Sequence, residues 1–254
     1  MTDPDEFMKN NIELAASKLR QSSFNMAFTG AGISVESGIP PFRGVDGLWN
    51  RYEPEVLDIN YFLEHGDLCW PTIREIFYDH FGKAQPNGAH LALAAMEERG
   101  WLHAIVTQNI DNLHQKAGSH KVYEFHGGSQ RLVCPKCSTS FPVEECDLQN
   151  LPPRCPYDQQ ILKPDFVFFG EGIPTEAWNL SFDSAAQCEV CLIIGSTGEV
   201  VPASFVPKKA RDRGAFIIEV NPERSQFTDS ITDLWLKGKA GDLLPQLLME
   251  MKKI

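Results

Sequence analysis

Three groups of residues in this sequence have types and spacings suited to chemistry. The first is Gly30-Ala31-Gly32-Ile33-Ser34, which follows an apolar run ending at Thr29. Glycines at a strand end let backbone N–H groups approach a pyrophosphate, and a helix start beyond them adds a favourable dipole. Taken alone, the pattern is equally a plain strand-to-helix turn, because Val35 stands where the dinucleotide fingerprint has its third glycine. The second group is Gln108, Asn109 and Asp111 after the run 103–107, with His126 after the run 122–125. Polar side chains beyond strand ends in an open α/β sheet line the ligand crevice. There they can hydrogen-bond an amide-bearing ligand, and a histidine, which titrates near neutrality, can act as general base. A lone Asn or Asp at such a place is otherwise an Asx turn, and a lone His otherwise a packing residue. His114, at a helix start after Asp111, is read as packing or capping.

The third group is Cys134-Pro135-Lys136-Cys137, two thiols at the spacing of half a tetrahedral zinc site. The second half belongs about 15–20 residues further on. The sequence has Cys155-Pro156-Tyr157-Asp158 there, with aspartate in the fourth position. Three readings stay open: Asp158 completes the set through oxygen, Cys146 completes it through sulfur, or the segment holds no metal. Spacing favours Asp158. Cys188 and Cys191 repeat the spacing but open an apolar run, and are read as buried free thiols.

The elements that must position these residues alternate. Residues 3–20 read as a helix, with Asp3 as cap, Pro4 in the first turn and Glu6 completing a capping box. Apolar runs at 24–29, 103–107, 122–125, 191–194, 216–220 and 234–236 read as strands, and 89–99 and 243–251 as helices. This alternation predicts an α/β fold with a Rossmann-like doubly wound parallel sheet. Two segments interrupt it. Residues 41–86, rich in aromatics, read as a helical lid insert. Residues 131–163, poor in apolar periodicity, read as a zinc-ribbon-like insert. Together they form a smaller domain beside a large one made of 1–40, 87–130 and 164–254.

Composition narrows the classes. The chain has 254 residues, 43% of them hydrophobic, and 23 Lys plus Arg against 34 Asp plus Glu, a net charge of −11. Such an acidic chain does not favour a nucleic-acid partner. No apolar stretch approaches the roughly 18 residues of a spanning helix, and residues 1–6 lack the basic and apolar regions of a signal peptide. A cytoplasmic protein with no membrane partner is expected, and seven cysteines without an export signal argue against a disulfide framework. Nothing specifies an oligomeric state, and a monomer is compatible with the sequence.

The continuation of the glycine turn is far more specific than the turn. Ser34-Val35-Glu36-Ser37-Gly38-Ile39-Pro40-Pro41-Phe42-Arg43-Gly44 resembles the first signature of the sirtuins. Thr107 to His114 resembles the second, with Asn112 where glycine is usual, and Phe125-His126-Gly127 the third. Lys163 to Glu171 resembles the peptide-binding segment, and Gly195-Ser196-Thr197 the phosphate and ribose loop, with Gly198 in place of a usual leucine. Asn221 with Glu223, and Gly238 to Asp242, resemble the adenosine end.

The resemblance implies an NAD-dependent protein lysine deacylase. In such enzymes the acyl oxygen attacks the ribose anomeric carbon as nicotinamide leaves. A histidine, here His126, takes a proton from the ribose hydroxyls. Water then releases 2′-O-acyl-ADP-ribose and free lysine. Asn109 would position ribose and water, and Asp111 the nicotinamide carboxamide. Gly30, Ala31, Gly32, Ser34, Gln108, Ile110, Gly195, Ser196, Thr197, Asn221 and Glu223 would complete the NAD site, with Phe42 and Arg43 on a loop closing over it. The acyl-lysine peptide would add as a strand at Val167, Phe168, Phe169 and Gly170. Cys134, Cys137, Cys155 and Asp158 would hold a structural zinc. Sirtuins that remove succinyl groups share a Tyr-x-x-Arg pair; here Tyr78 is followed by Phe81 in the arginine position. Without that cation, acetyl or longer apolar acyl groups are the expected substrates. Two other readings remain: protein ADP-ribosyl transfer or NAD hydrolysis on the same residues, and a non-catalytic NAD-binding scaffold.

Overall fold

The computed structural model describes residues 4–41 and 47–253; the Asp3 cap lies outside them. Six strands form one parallel sheet: β1 (Asn25–Thr29), β2 (Ala104–Thr107), β3 (Val122–Glu124), β7 (Val190–Ile194), β8 (Phe216–Asn221) and β9 (Leu234–Lys237). The intervening strands β4 (Gly127–Val133), β5 (Ser140–Pro142) and β6 (Lys163–Phe166) form a second sheet. The helices are α1 (Pro4–Gln21), α2 (Ile59–Ile73), α3 (Gly88–Glu98), α4 (Leu113–Lys116), α5 (Thr175–Gln187), α6 (Phe205–Asp212) and α7 (Ala240–Met251).

Burial along the strands explains the sheet. Every residue of β1 and of β7 is buried, as the two central strands of a parallel sheet must be, whereas edge strand β3 is only half-buried. Helices cover both faces. Ile12, Ala16 and Leu19 of α1, Ala92 and Met96 of α3, and Leu244 and Leu247 of α7 fill one side. Ala185 of α5 with Val206 and Ala210 of α6 help fill the other. The doubly wound expectation is met. α5 and α6 are absent from the sequence-based elements, since each carries its buried residues on a narrow stripe.

The strand order β3-β2-β1-β7-β8-β9 reverses direction between β1 and β7. The chain leaves these neighbouring strands on opposite sides, which opens a crevice at their carboxyl ends. Phe28 of β1 lies in register with Val106 on one side and Ile193 on the other, so the turns after β1, β2 and β7 emerge together. The turn after β1 is a 3-10 helix, Ala31–Ser37, rather than the expected α-helix start. It is stitched to α3 through Asn87, which caps that helix and whose Nδ2 donates to Ile33 O at 2.7 Å and Ser37 Oγ at 3.0 Å.

The small sheet is antiparallel, in the order β5-β4-β6. It begins at Gly127 and ends at Phe166, so its strands take in residues on both sides of 131–163. Its core is shared with the aromatic insert: Phe62, Trp70 and Phe77 pack with Leu132, Leu162 and Phe166. Trp70 Nε1 donates to Leu162 O at 2.8 Å, tying insert to ribbon.

Candidate functional site: a glycine-lined crevice and a cysteine-aspartate cluster

Three glycines close the floor of the crevice. Gly30 N donates to Ile194 O at 3.0 Å and Gly32 N to Gly195 O at 2.8 Å. A Cβ on Gly32 would stand 2.6 Å from Gly195 Cα, and one on Gly30 would stand 2.8 Å from Gly195 O. Gly195 also has φ of +62°, which side chains disfavour. The two backbones touch because no side chain lies between them.

Polar groups rim that floor. Ser34 Oγ donates to Asp111 Oδ2 at 2.7 Å, and Asn109 Nδ2 donates to Ser34 Oγ at 3.1 Å and Gly30 O at 3.2 Å. Asn109 therefore keeps Oδ1 as an acceptor for a ligand. Asp111 Oδ1 accepts from Leu113 N at 2.9 Å, and burial raises its pKa against the pull of these bonds. Gln108 Nε2 donates to Ser196 Oγ at 3.0 Å, and Asn221 Nδ2 to Ser196 O at 3.1 Å, which links the ends of β2, β7 and β8. Asn112 has φ of +61°, the left-handed conformation in which asparagine is the best substitute for glycine. Gly198, at φ +77°, lies against Phe227, and a Cβ there would come 2.9 Å from the ring. Phe227 fills the place that a larger residue at 198 would need.

His126 Nδ1 lies 3.0 Å from Gln108 O. A carbonyl only accepts, so Nδ1 carries the hydrogen and Nε2 keeps its lone pair. Burial lowers the His126 pKa, and the bond to Gln108 opposes that shift. The net shift leaves the ring favouring its neutral form, and among the described residues Nε2 has no hydrogen-bond partner. His114 is different. It is buried, its Nε2 lies 2.9 Å from Thr29 Oγ1, and burial, helped by His90, pulls its pKa down to about 3. It packs, as expected.

The segment after β6 runs from the small sheet into the crevice. Val167 N donates to His126 O at 2.8 Å, and Phe169 N to Leu57 O at 2.8 Å. Phe168 is buried, whereas Phe169 is 49% exposed. Lys163, read from the sequence only as part of the segment, is buried against Glu171 at 2.9 Å and donates to Pro164 O and Phe166 O. Glu171 Oε2 in turn accepts from Phe168 N at 2.7 Å. An ion pair between buried Lys163 and half-buried Glu171 thereby pins both ends of the segment.

Of the remaining residues, Ile110 packs into the small core, Ala31 is half-buried, and Thr197 and Glu223 are exposed. Phe42 and Arg43 lie outside the described residues. Tyr78 stacks on Trp70, and its buried hydroxyl has no hydrogen-bond partner among the described residues. Phe81 packs edge-on against Phe77. Both line a cavity of about 180 Å³ that Asp111 also lines. Glu219 is a site-side residue that the sequence reading passed over; its signal was a lone acid inside an apolar strand.

The ligand atoms of Cys134, Cys137, Cys155 and Asp158 all lie within 4.8 Å of one another. Cys134 Sγ is 3.5 Å from Asp158 Oδ1, and Cys137 Sγ is 3.7 Å from Cys155 Sγ. Three sulfurs and one carboxylate oxygen fit a closed, structural zinc site. Cys146 Sγ instead donates to Pro142 O at 3.4 Å and is not one of the four. Cys188 and Cys191 are buried free thiols.

A parallel sheet of this order, with a side-chain-free cradle at its switch point, defines a dinucleotide-binding protein. The chain belongs to the Sir2 family, whose pattern matches residues 30–202. It is 44% identical over 251 residues to a protein of Thermococcus kodakarensis named NAD-dependent protein deacylase, covering 94% of this chain and 95% of the other. Among solved structures it resembles a Sir2 homolog in complex with NAD (TM-score 0.88, 37% identity, 95% of this chain and 94% of that one). It also resembles a Sir2 bound to a p53 peptide and NAD+ (TM-score 0.87, 32% identity, 96% and 99%). Among the described residues no helix is long and apolar enough to cross a membrane.

Proposed function

We propose that this protein is an NAD-dependent protein lysine deacylase, removing acetyl or longer apolar acyl groups and yielding nicotinamide and 2′-O-acyl-ADP-ribose. The observation that carries this reading is His126, whose Nδ1 is fixed on Gln108 O and whose Nε2 has no partner among the described residues, beside a glycine cradle in a chain of the Sir2 family. When bound, NAD would supply the ribose anomeric carbon that the acyl oxygen attacks as nicotinamide leaves, and the 2′-hydroxyl oxygen on which the acyl group ends. Everything else falls to the chain's own residues.

Gly30, Ala31, Gly32, Gly195, Ser196 and Thr197 bind the diphosphate and its ribose. Asn221 and Glu223 take the adenosine end, and Phe42 and Arg43 close over the crevice. Asn109, fixed by Gly30 O and Ser34, presents an acceptor to the ribose and to water. Asp111, with Gln108 and Ile110 beside it, orients the carboxamide. His126 takes the proton from a ribose hydroxyl at Nε2 and holds it as imidazolium. Holding both substrates in this geometry lowers the barrier by proximity. The acyl-lysine peptide lies along Val167 to Gly170, a segment stiffened by the Lys163–Glu171 pair. Tyr78 and Phe81 face the acyl end, and the lack of a cation at 81 disfavours dicarboxylic groups. Cys134, Cys137, Cys155 and Asp158 hold a zinc that staples the ribbon and takes no part in the reaction. In this reading 1–40, 87–130 and 164–254 form the NAD-binding domain, while the inserts 41–86 and 131–163 form the small one. The cytoplasm suits seven cysteines read as thiols rather than disulfides.

The test is mass spectrometry of acetyl-, butyryl- and succinyl-lysine peptides with and without NAD. NAD-dependent loss of acetyl and butyryl but not succinyl is expected. A gain of ADP-ribose by the peptide, or NAD consumption with the acyl group retained, replaces this reading with transfer or NAD hydrolysis.

A further inference from the structure

Glu219 interrupts the apolar strand β8 two residues before Asn221 and is fully buried. Its oxygens accept three hydrogen bonds: Oε1 from Asn221 Nδ2 at 2.8 Å and Ser225 Oγ at 2.5 Å, Oε2 from Thr232 Oγ1 at 2.8 Å. Asn221 Nδ2 also donates to Ser196 O at 3.1 Å. Both amide hydrogens are therefore taken by fixed acceptors. Turning the amide over would break both bonds and set Oδ1 against two oxygens. The side chain can offer a ligand only its Oδ1, which accepts and cannot donate.

That asymmetry has a consequence for the ligand. An acceptor at this strand end suits a group that donates, such as a ribose hydroxyl. It disfavours a phosphate monoester, which would bring acceptor against acceptor. We propose that Glu219 is a positioning residue that locks Asn221 as an acceptor for the adenosine ribose of NAD, and that this lock sets a preference for NAD over its 2′-phosphorylated form. The inference rests on the assignment of Asn221 to the adenosine end. In the usual dinucleotide-binding sheet an acid touches the ribose itself. Here both carboxyl oxygens are occupied by protein donors, so Glu219 acts through Asn221. The same carboxyl group steadies the crevice wall. It holds Ser225, whose neighbour Gln226 donates to Thr197 O at 2.9 Å, and the next residue, Phe227, packs on Gly198.

The experiment is calorimetric binding of ADP-ribose and of ADP-ribose carrying a 2′-phosphate, which needs no turnover, together with Tm and the KM values for NAD and peptide. Glu219→Ala should weaken ADP-ribose binding roughly tenfold, the worth of an oriented hydrogen bond. It should weaken the 2′-phosphate by less, because a freed amide can turn its NH2 outward, so the preference narrows. KM should rise for NAD and hold for peptide. Glu219→Gln keeps an acceptor for Asn221 and should restore most of the affinity. Thr232→Val loses only the bond to Oε2 and should lower Tm without narrowing the preference. Should E219A not fold, Glu219→Asp, one methylene too short to reach Asn221, provides the same comparison. Equal weakening of both ligands, or no weakening, overturns the lock while leaving deacylation standing if the wild type removes acetyl. A wild type that binds neither ligand overturns the NAD assignment and the lock together.

Discussion

The crevice of the large sheet and the cysteine-aspartate cluster of the small sheet reach rigidity by different routes. Around the crevice, parallel strands buried on both faces fix three turns, and backbone contacts between Gly30, Gly32 and Gly195 set their spacing. The small sheet has three strands, with half-buried residues along much of β4 and all of β5, and its far end is gathered at four ligand atoms within 4.8 Å of one another. A segment with little core of its own needs such a staple, whereas a fully covered sheet does not. In the proposed reading the chemistry follows that division: His126, Asn109 and Asp111 stand on the rigid sheet's turns, and the cluster takes the structural role.

The comparison is broken most sharply at His126. His126→Ala should cut NAD-dependent acetyl removal by roughly 10²–10⁴-fold while leaving Tm and zinc content unchanged. In the wild type, activity should fall as pH drops below the ordinary histidine value of 6.5, because the buried ring, its pKa lowered, must stay unprotonated to act as base. A pH–rate profile whose acid limb lies above 6.5 contradicts the neutral ring.

Next in size is the metal. Changes around a zinc site that spare the ligands already cost about 10–100-fold in affinity, so Asp158→Ala should cost more. Chelation should lower Tm and open the ribbon to protease before the large sheet. Cys146→Ser should change neither zinc content nor Tm, and a loss of zinc in that variant would return Cys146 to the ligand set.

The large sheet has its own weak point in acid. Burial lowers the pKa of His90 to about 4 and that of His114 to about 3, against 6.5 in the unfolded chain. Below pH 6.5 the unfolded state takes up protons that the folded state refuses, so stability is full above 6.5 and declines towards pH 4 and below. The decline should reach roughly 3 kcal/mol at pH 4 for His90 alone. Urea unfolding at pH 7 and pH 4.5 measures it, and His90→Gln should remove about half of the difference, the remainder belonging to His114. Last is Gly32→Ala, whose added methyl group would meet the Gly195 backbone at 2.6 Å. It should cost about 1–3 kcal/mol and weaken ADP-ribose binding, as seen by calorimetry, without touching zinc content.

Much of the site was legible because its turns are continuous in sequence. Strand runs ending in Gly30-Ala31-Gly32, Gln108-Asn109 and His126 announce their own positions, since ligands gather beyond strand ends. The helical parts were harder. α5 buries little of its length, so its periodicity is faint, and α7 begins earlier than 243 because Gly241 and Pro245 mask its first turns. Asn112 and Gly198 departed from the family pattern, and only φ angles of +61° and +77° and the ring of Phe227 account for them.

By itself the sequence determined the fold class, the order of the motifs and the candidate thiols, because side-chain chemistry and strand–helix period are local properties. Tertiary structure alone decided which of two neighbours joined the cysteines. Asp158 and Cys146 are both reachable along the chain, and only the fold of the ribbon brings one within 4.8 Å of the others and turns the other to Pro142. It also decided the state of His126, which depends on a carbonyl 3.0 Å away contributed by another strand's turn, and burial that no stretch of sequence records.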